Sequence, residues 1–207
     1  MSGCCGQNKD FDGASPEYRR VLWIVIAINA AMFGVEMTAG RMAQSQALQA
    51  DALDFLGDAA TYSISLAVIG ASLRVRATAA LAKGISLAVI GLLVFGATAW
   101  RLMQGGAPDA PVMGVVGFLA LAANLASVAL LVSYKDGDAN VRSVWLCSRN
   151  DAIGNVAVML AALGVWGSAS AWPDLLVAAI MAGLFISSAA QIIAQSLRER
   201  REAAAAV

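Results

Sequence analysis

The sequence predicts an all-α membrane protein of six transmembrane helices, with both chain ends on the cytoplasmic side. Three observations lead there. The 207 residues are 59% hydrophobic and only 14% charged, whereas a soluble domain carries about a quarter charged residues. The apolar residues come in blocks close to the roughly twenty needed to cross a bilayer, not in an amphipathic rhythm. Lysine and arginine also fall on alternate segments between those blocks, as the positive-inside rule requires.

The blocks are residues 21–40, 47–73, 77–100, 112–132, 141–167 and 175–197. The run QGGAPDAP (104–111) separates the third from the fourth, and KDGDAN (135–140) separates the fourth from the fifth. The triplet WPD (172–174) suits the start of the sixth, with proline in the first turn and an acid near the positive end of the helix dipole. With the N-terminus inside, Lys9, Arg19, Arg20, Arg74, Arg76, Lys83, Lys135, Arg142, Arg198, Arg200 and Arg201 are cytoplasmic. Only Arg41 and Arg101 lie near the outer ends, and Arg149 falls within the fifth span. The domain plan is a cytoplasmic tail over 1–19, a membrane domain over 20–197 and a short cytoplasmic tail over 198–207. The first 18 residues are polar, so no signal peptide is expected. A formal net charge of zero leaves no nucleic-acid footprint.

The second block contains LQADALDFLGDAATYSISL, and with it Asp51, Asp54 and Asp58. A carboxylate at the bilayer centre costs about 2.5 kcal/mol or more, so three on one helix need a reason. At 100° per residue all three fall within about 60° of one another. The fifth block answers with CSRNDAIGN, which gathers Cys147, Asn150, Asp151, Gly154 and Asn155 on one arc and turns Arg149 away. Asp54/Asp58 and Cys147/Asp151 are each an i, i+4 pair, with β-carbons about 5–6 Å apart. Three carboxylates and one thiolate can supply a tetrahedral set for a divalent cation. A dication, or protons in its absence, would neutralise the acids. The alternative is a wet vestibule that binds nothing, and for Cys147 a small buried hydrophobe. The chain has no histidine, so imidazole serves neither as ligand nor as proton carrier.

Asp51, Asn150, Asn155 and Glu36 are candidate accessory residues, the amides either orienting carboxylates or joining helices. Asn29 and Glu36 share a stripe of the first span, where interhelical bonding is the favoured role over an exit path. Asn124 and Ser127 are expected to make interhelical hydrogen bonds. Of the three cysteines, Cys4 and Cys5 adjoin in the N-terminal tail; they form no disulfide framework and are candidates for capturing soft cations. Small residues in GISLAVIGLLVFGATA (84–99) and AAIMAGLFISSAA (178–190) suit either a dimer face or packing within one protomer.

These segments, in this order, resemble the cation diffusion facilitators, exporters of zinc, cadmium, cobalt, manganese and iron. Asn29, Glu36 and Gly40 lead into SQALQAD (45–51), close to the family's S-x-A-L-x-A-D. DALDFLGD (51–58) is similar to its D-A-x-[HD]-x-x-x-D, and NVRSVWLCSRNDAIGNVAVMLAAL (140–163) to the segment bearing H-x-x-x-D. WPDLLVAAIMAGLFI (172–186) resembles its W-x-D-P-L-x-A. The resemblance implies the family's transmembrane bundle and puts Asp54, Asp58 and Asp151 at ligand positions, with Cys147 in the usual histidine's place. It further implies alternating access, exchange of cytoplasmic metal for protons, a homodimer, and a multi-pass protein of the inner (plasma) membrane with no resident cofactor.

Cysteine for histidine favours softer cargo, zinc first, then cadmium or cobalt. The family's C-terminal metal-sensing domain has no counterpart in the sequence, so dimerisation is expected through membrane contacts. The stretch 74–83 lacks the histidine-rich loop of many zinc carriers. Uptake or leak is the rival within transport. A membrane metal sensor or assembly partner without transport is the rival of another class, and an enzyme ranks last because no nucleophile with a base is evident.

Overall fold

Why these residues form helices is clearest at their starts. Ser15, Ser45 and Asp109 each cap an N-terminus, accepting from the backbone N–H of Tyr18 (3.2 Å), Leu48 (3.0 Å) and Val112 (3.1 Å). In the computed structural model, which describes residues 15–68, 73–136 and 139–205, six helices follow: α1 (Pro16–Met42), α2 (Gln46–Ala67), α3 (Leu73–Gln104), α4 (Ala110–Leu131), α5 (Ala139–Ser168) and α6 (Trp172–Ala205). A 3-10 turn, Val132–Tyr134, extends α4. The α1–α2 turn needs Gln44 at φ 55°, and the α3–α4 link places Gly105 and Gly106 at φ 69° and 84°, where glycine adds no steric cost.

All six predicted helices are present. Five are long and apolar enough to cross a membrane. The exception is α2, because any stretch of it long enough to span contains Asp51, Asp54 and Asp58.

The helices alternate in direction. One end of the molecule holds the α1–α2 turn, the starts of α4 and α6 and the end of α3, tied by Asp109 N–H to Ala43 O (3.0 Å) and Arg101 to Gln44 (3.0 Å). The opposite end brings the start of α1 against the end of α4, with the Tyr18 and Tyr134 rings edge-on at 5.1 Å. Helices α1, α2, α4 and α5 form a four-helix bundle, and α3 lies chiefly along α6 beside it.

Small residues make that α3–α6 contact. A β-carbon on Gly84 would stand 2.8 Å from Ile193 Cγ1, and one on Gly91 would stand 2.8 Å from Ile186 Cγ1. Both glycines therefore serve packing within one chain, whereas Gly96 and Gly183 face no atom within 4 Å. Large apolar side chains such as Leu92, Phe95, Phe118, Trp166 and Leu184 point outward, as lipid-facing surface would.

The core has two layers. The first gathers Leu48, Ala50, Met113, Val158, Ala182 and their neighbours; the second gathers Tyr18, Leu22, Val25, Tyr62, Leu131 and Val144. On α2 the acids at 51–58 lie between Ala50 and Tyr62. On α5, Asp151 lies between Val144 and Val158. The polar residues thus sit between two apolar seals.

The helix ends set the depth of the acids in the bundle. α2 stops at Ala67, not at 73, and α5 begins at Ala139. Asp58 is then nine residues (58 to 67) from its helix end and Asp151 twelve (139 to 151) from its own, so the two meet in the middle of the bundle. Cys4 and Cys5 lie outside the described residues.

Candidate metal site

Helix period puts Asp51, Asp54 and Asp58 on the α2 face that looks into the bundle, and Asp151 and Asn155 on the opposing face of α5. The structure brings Asn29, Asp51, Asp54, Asp58, Asn124 and Asp151 around one cavity, floored by Phe55. The side chains close on it too tightly to leave room for a water molecule.

Asp54, Asp58 and Asp151 line this one cavity, and the buried Asp151 Oδ2 has no hydrogen-bond partner. Carboxylates so close and so shielded from water can share a site only if protons or a cation offset their charge. Helices α2 and α5 therefore pool their acids, as their spacing predicts.

They do not present a finished coordination shell. Among the described residues, no three Cys, Asp or Glu side chains are spaced to hold a metal ion as the helices stand. Cys147, half-buried, does not line the cavity. It lies one turn from Asp151, packed against the second apolar layer, which also holds Tyr62.

The accessory candidates divide. Asn155, fully buried, donates from Nδ2 to Asp51 Oδ2 at 2.5 Å and accepts on Oδ1 from Asn124 Nδ2 at 2.9 Å. This amide relay joins α4, α5 and α2 and fixes the orientation of Asp51. Glu36, 0% exposed, has no hydrogen-bond partner on either oxygen. Asn29 spends its Nδ2 on Val25 O (2.8 Å) and still lines the cavity.

Asn150 departs from its expected place: it is exposed and accepts from Arg149 (3.2 Å), whose guanidinium lies over the Trp145 ring at 5.3 Å. Ser127 departs too, since its hydroxyl donates to Ala123 O of its own helix (3.0 Å), a common fate of helical serine.

Sequence reasoning missed three residues. Tyr62 donates its hydroxyl to Asp58 Oδ2, and the signal was present as an i, i+4 relation to Asp58. Lys83, half-buried on α3, carries the cation whose field reaches Asp58 and Cys147. Asp174 stands in the first turn of α6, as WPD predicts, and also reaches across to α2. Its carboxylate accepts from Ser45 Oγ (2.6 Å) and from the N–H groups of Gln46 (2.8 Å) and Ala47 (3.1 Å), so it caps α2.

Comparison with known proteins agrees with this arrangement. Residues 22–199 match the cation efflux transmembrane domain. The chain is similar to the metal cation efflux system protein CzcD of Cupriavidus metallidurans (strain CH34), 28% identical over 204 residues, covering 92% of this chain and 63% of that protein. It is likewise similar to the cation efflux system protein CzcD of Alcaligenes sp. (strain CT14), 28% identical over 194 residues, covering 87% of this chain and 60% of that one. The chain thus spans about three-fifths of the length of these relatives. Six alternating helices, an acid cluster at mid-bundle and a match over nearly the whole described length converge, and the chain belongs to the cation efflux family of membrane transporters.

Proposed function

We propose that the protein moves divalent transition-metal cations out of the cytosol in exchange for protons, by alternating access. Zinc is the first candidate cargo, and cadmium or cobalt follow. One observation carries the reading: Asp54 and Asp58 of α2 meet Asp151 of α5 around a single buried cavity. The relatives named for cation efflux support the direction of transport.

The chemistry follows from the contacts. In the metal-free state, protons shared among the three carboxyl groups offset their charge. A dication entering the cleft replaces those protons, so binding releases them and weakens as pH falls. Cys147, one turn inward, completes the ligand set by turning its sulfur toward the cation. A thiolate there favours zinc and cadmium over manganese.

The two apolar layers act as the seals that open in turn, and a homodimer in the inner membrane is the working form. Under the positive-inside rule the layer containing Tyr62 faces the cytosol.

Metal-driven proton flux in proteoliposomes tests the site. Asp54→Ala, Asp58→Ala and Asp151→Ala should each abolish flux, and near-normal flux in all three would reject it. Cys147→Ser should weaken cadmium transport more than cobalt, while Cys147→His should retain zinc transport; equal losses for cadmium and cobalt would argue against a sulfur ligand.

A further inference from the structure

Tyr62 stands one helical turn inward from Asp58 and is fully buried. Its hydroxyl donates to Asp58 Oδ2. A phenol has one proton to donate, and Asp58 takes it. Two further acceptors stand at the edge of range on the early turns of α5: Ser148 Oγ at 3.4 Å and the Val144 carbonyl at 3.5 Å. The ring itself packs in the inner apolar layer with Leu22, Leu131 and Val144. One side chain thus touches a ligand candidate on α2, the early turns of α5, and the apolar layer between the site and the cytosol.

We propose that Tyr62 is a positioning residue that couples cation binding to the inner seal. Its hydroxyl holds Asp58 while the site is free of metal, and it passes to Ser148 or the Val144 carbonyl when a cation takes Asp58. The proposal rests on the reading of Asp54, Asp58, Cys147 and Asp151 as ligands. The oxygen that accepts the phenol is one that a dication would claim, so the hydroxyl competes with the cation and, on return, helps to expel it. The new acceptors are already in place, so the exchange needs a small rotation of the hydroxyl and ring. That shift occurs inside the layer that must loosen for the site to open inward.

Tyr62→Phe keeps the ring and removes the competitor. Zinc binding to the purified full chain should tighten by about 3- to 10-fold, the range that one hydrogen bond carries. In proteoliposomes KM should fall by a similar factor and kcat should fall with it, because release is slowed. Damage to packing alone would lower kcat without lowering KM. Unchanged or weaker zinc binding by Tyr62→Phe overturns the proposal.

Ser148→Ala provides a second test that survives any folding defect of the first. It removes an acceptor of the bound state, leaves the Asp58 bond, and should weaken zinc binding; unchanged binding counts against the exchange. Asp151→Ala run in parallel separates the two readings. If it retains wild-type zinc binding, the ligand assignment itself fails. If it loses binding while Tyr62→Phe matches wild type, only the role of Tyr62 is wrong.

Discussion

Replacing Asp174 with alanine removes one carboxylate and leaves three donors without it: Ser45 Oγ and the N–H groups of Gln46 and Ala47. Asp174 is 1% exposed, so water cannot readily take its place. Hydrogen bonds to a charged group contribute about 1.5–3 kcal/mol each. The three losses overlap because a single group serves all of them, and a total of about 3–5 kcal/mol is the reasonable expectation, with part of it arising from the α2 dipole.

For a chain of this size each kcal/mol moves the midpoint by about 2–4 °C, so the thermal transition should fall by roughly 6–20 °C. Asp174→Asn keeps one carbonyl acceptor but no charge, and should lose about half as much. Ser45→Ala deletes the hydroxyl that both donates to Asp174 and caps Leu48 N–H, which should cost about 1 kcal/mol through the cap alone. Tryptophan fluorescence of the purified protein in detergent measures the order: wild type highest, Asp174→Asn below it and Asp174→Ala lowest, with Ser45→Ala also below wild type. A shift below about 2 °C for Asp174→Ala, or an asparagine variant weaker than the alanine one, would refute the clamp.

Gly91→Leu should disrupt the α3–α6 pair, because even its β-carbon would meet Ile186 Cγ1 at 2.8 Å and Phe185 Cβ at 3.1 Å; overpacking of this kind costs about 1–3 kcal/mol, and the same substitution at Gly96, which faces no atom within 4 Å, should leave the unfolding midpoint unchanged. Asn155→Ala breaks the relay from Asn124 to Asp51 and should reduce zinc affinity by about 10- to 100-fold, measured by calorimetry with each variant at equal purity. Zinc affinity of the wild-type protein should weaken as pH falls, with protons released on binding; a binding enthalpy that does not change between buffers of different ionisation enthalpy would contradict the exchange.

Much of the site was legible because it lies within two helices. The 3.6-residue period alone aligns Asp51, Asp54 and Asp58, and the same period pairs Asp151 with Asn155. The strength of the apolar blocks likewise makes six helices readable, and the one that fails a simple hydropathy test is the one that carries the acids. What escaped depends on where helices end and which distant residues meet. The place of Cys147 beside the second apolar layer, outside the cavity, follows from the stagger of α5 against α2, which no periodicity encodes. Asp174 and Ser45 are 129 positions apart, and nothing local in WPD says that its acid serves another helix. Asn150 shares the arc of Asp151 on a helical wheel, yet that arc is wider than the contact with α2, so its amide turns to Arg149 instead.

The most direct measurement is X-ray absorption at the zinc edge of the purified protein, with Cys4 and Cys5 replaced by serine. Three oxygen ligands and a single sulfur at about 2.3 Å are expected, with the sulfur lost in Cys147→Ser and the bound metal lost in Asp151→Ala. A shell without sulfur, or full zinc occupancy after Asp151→Ala, would mean that α2 and α5 do not grip one ion.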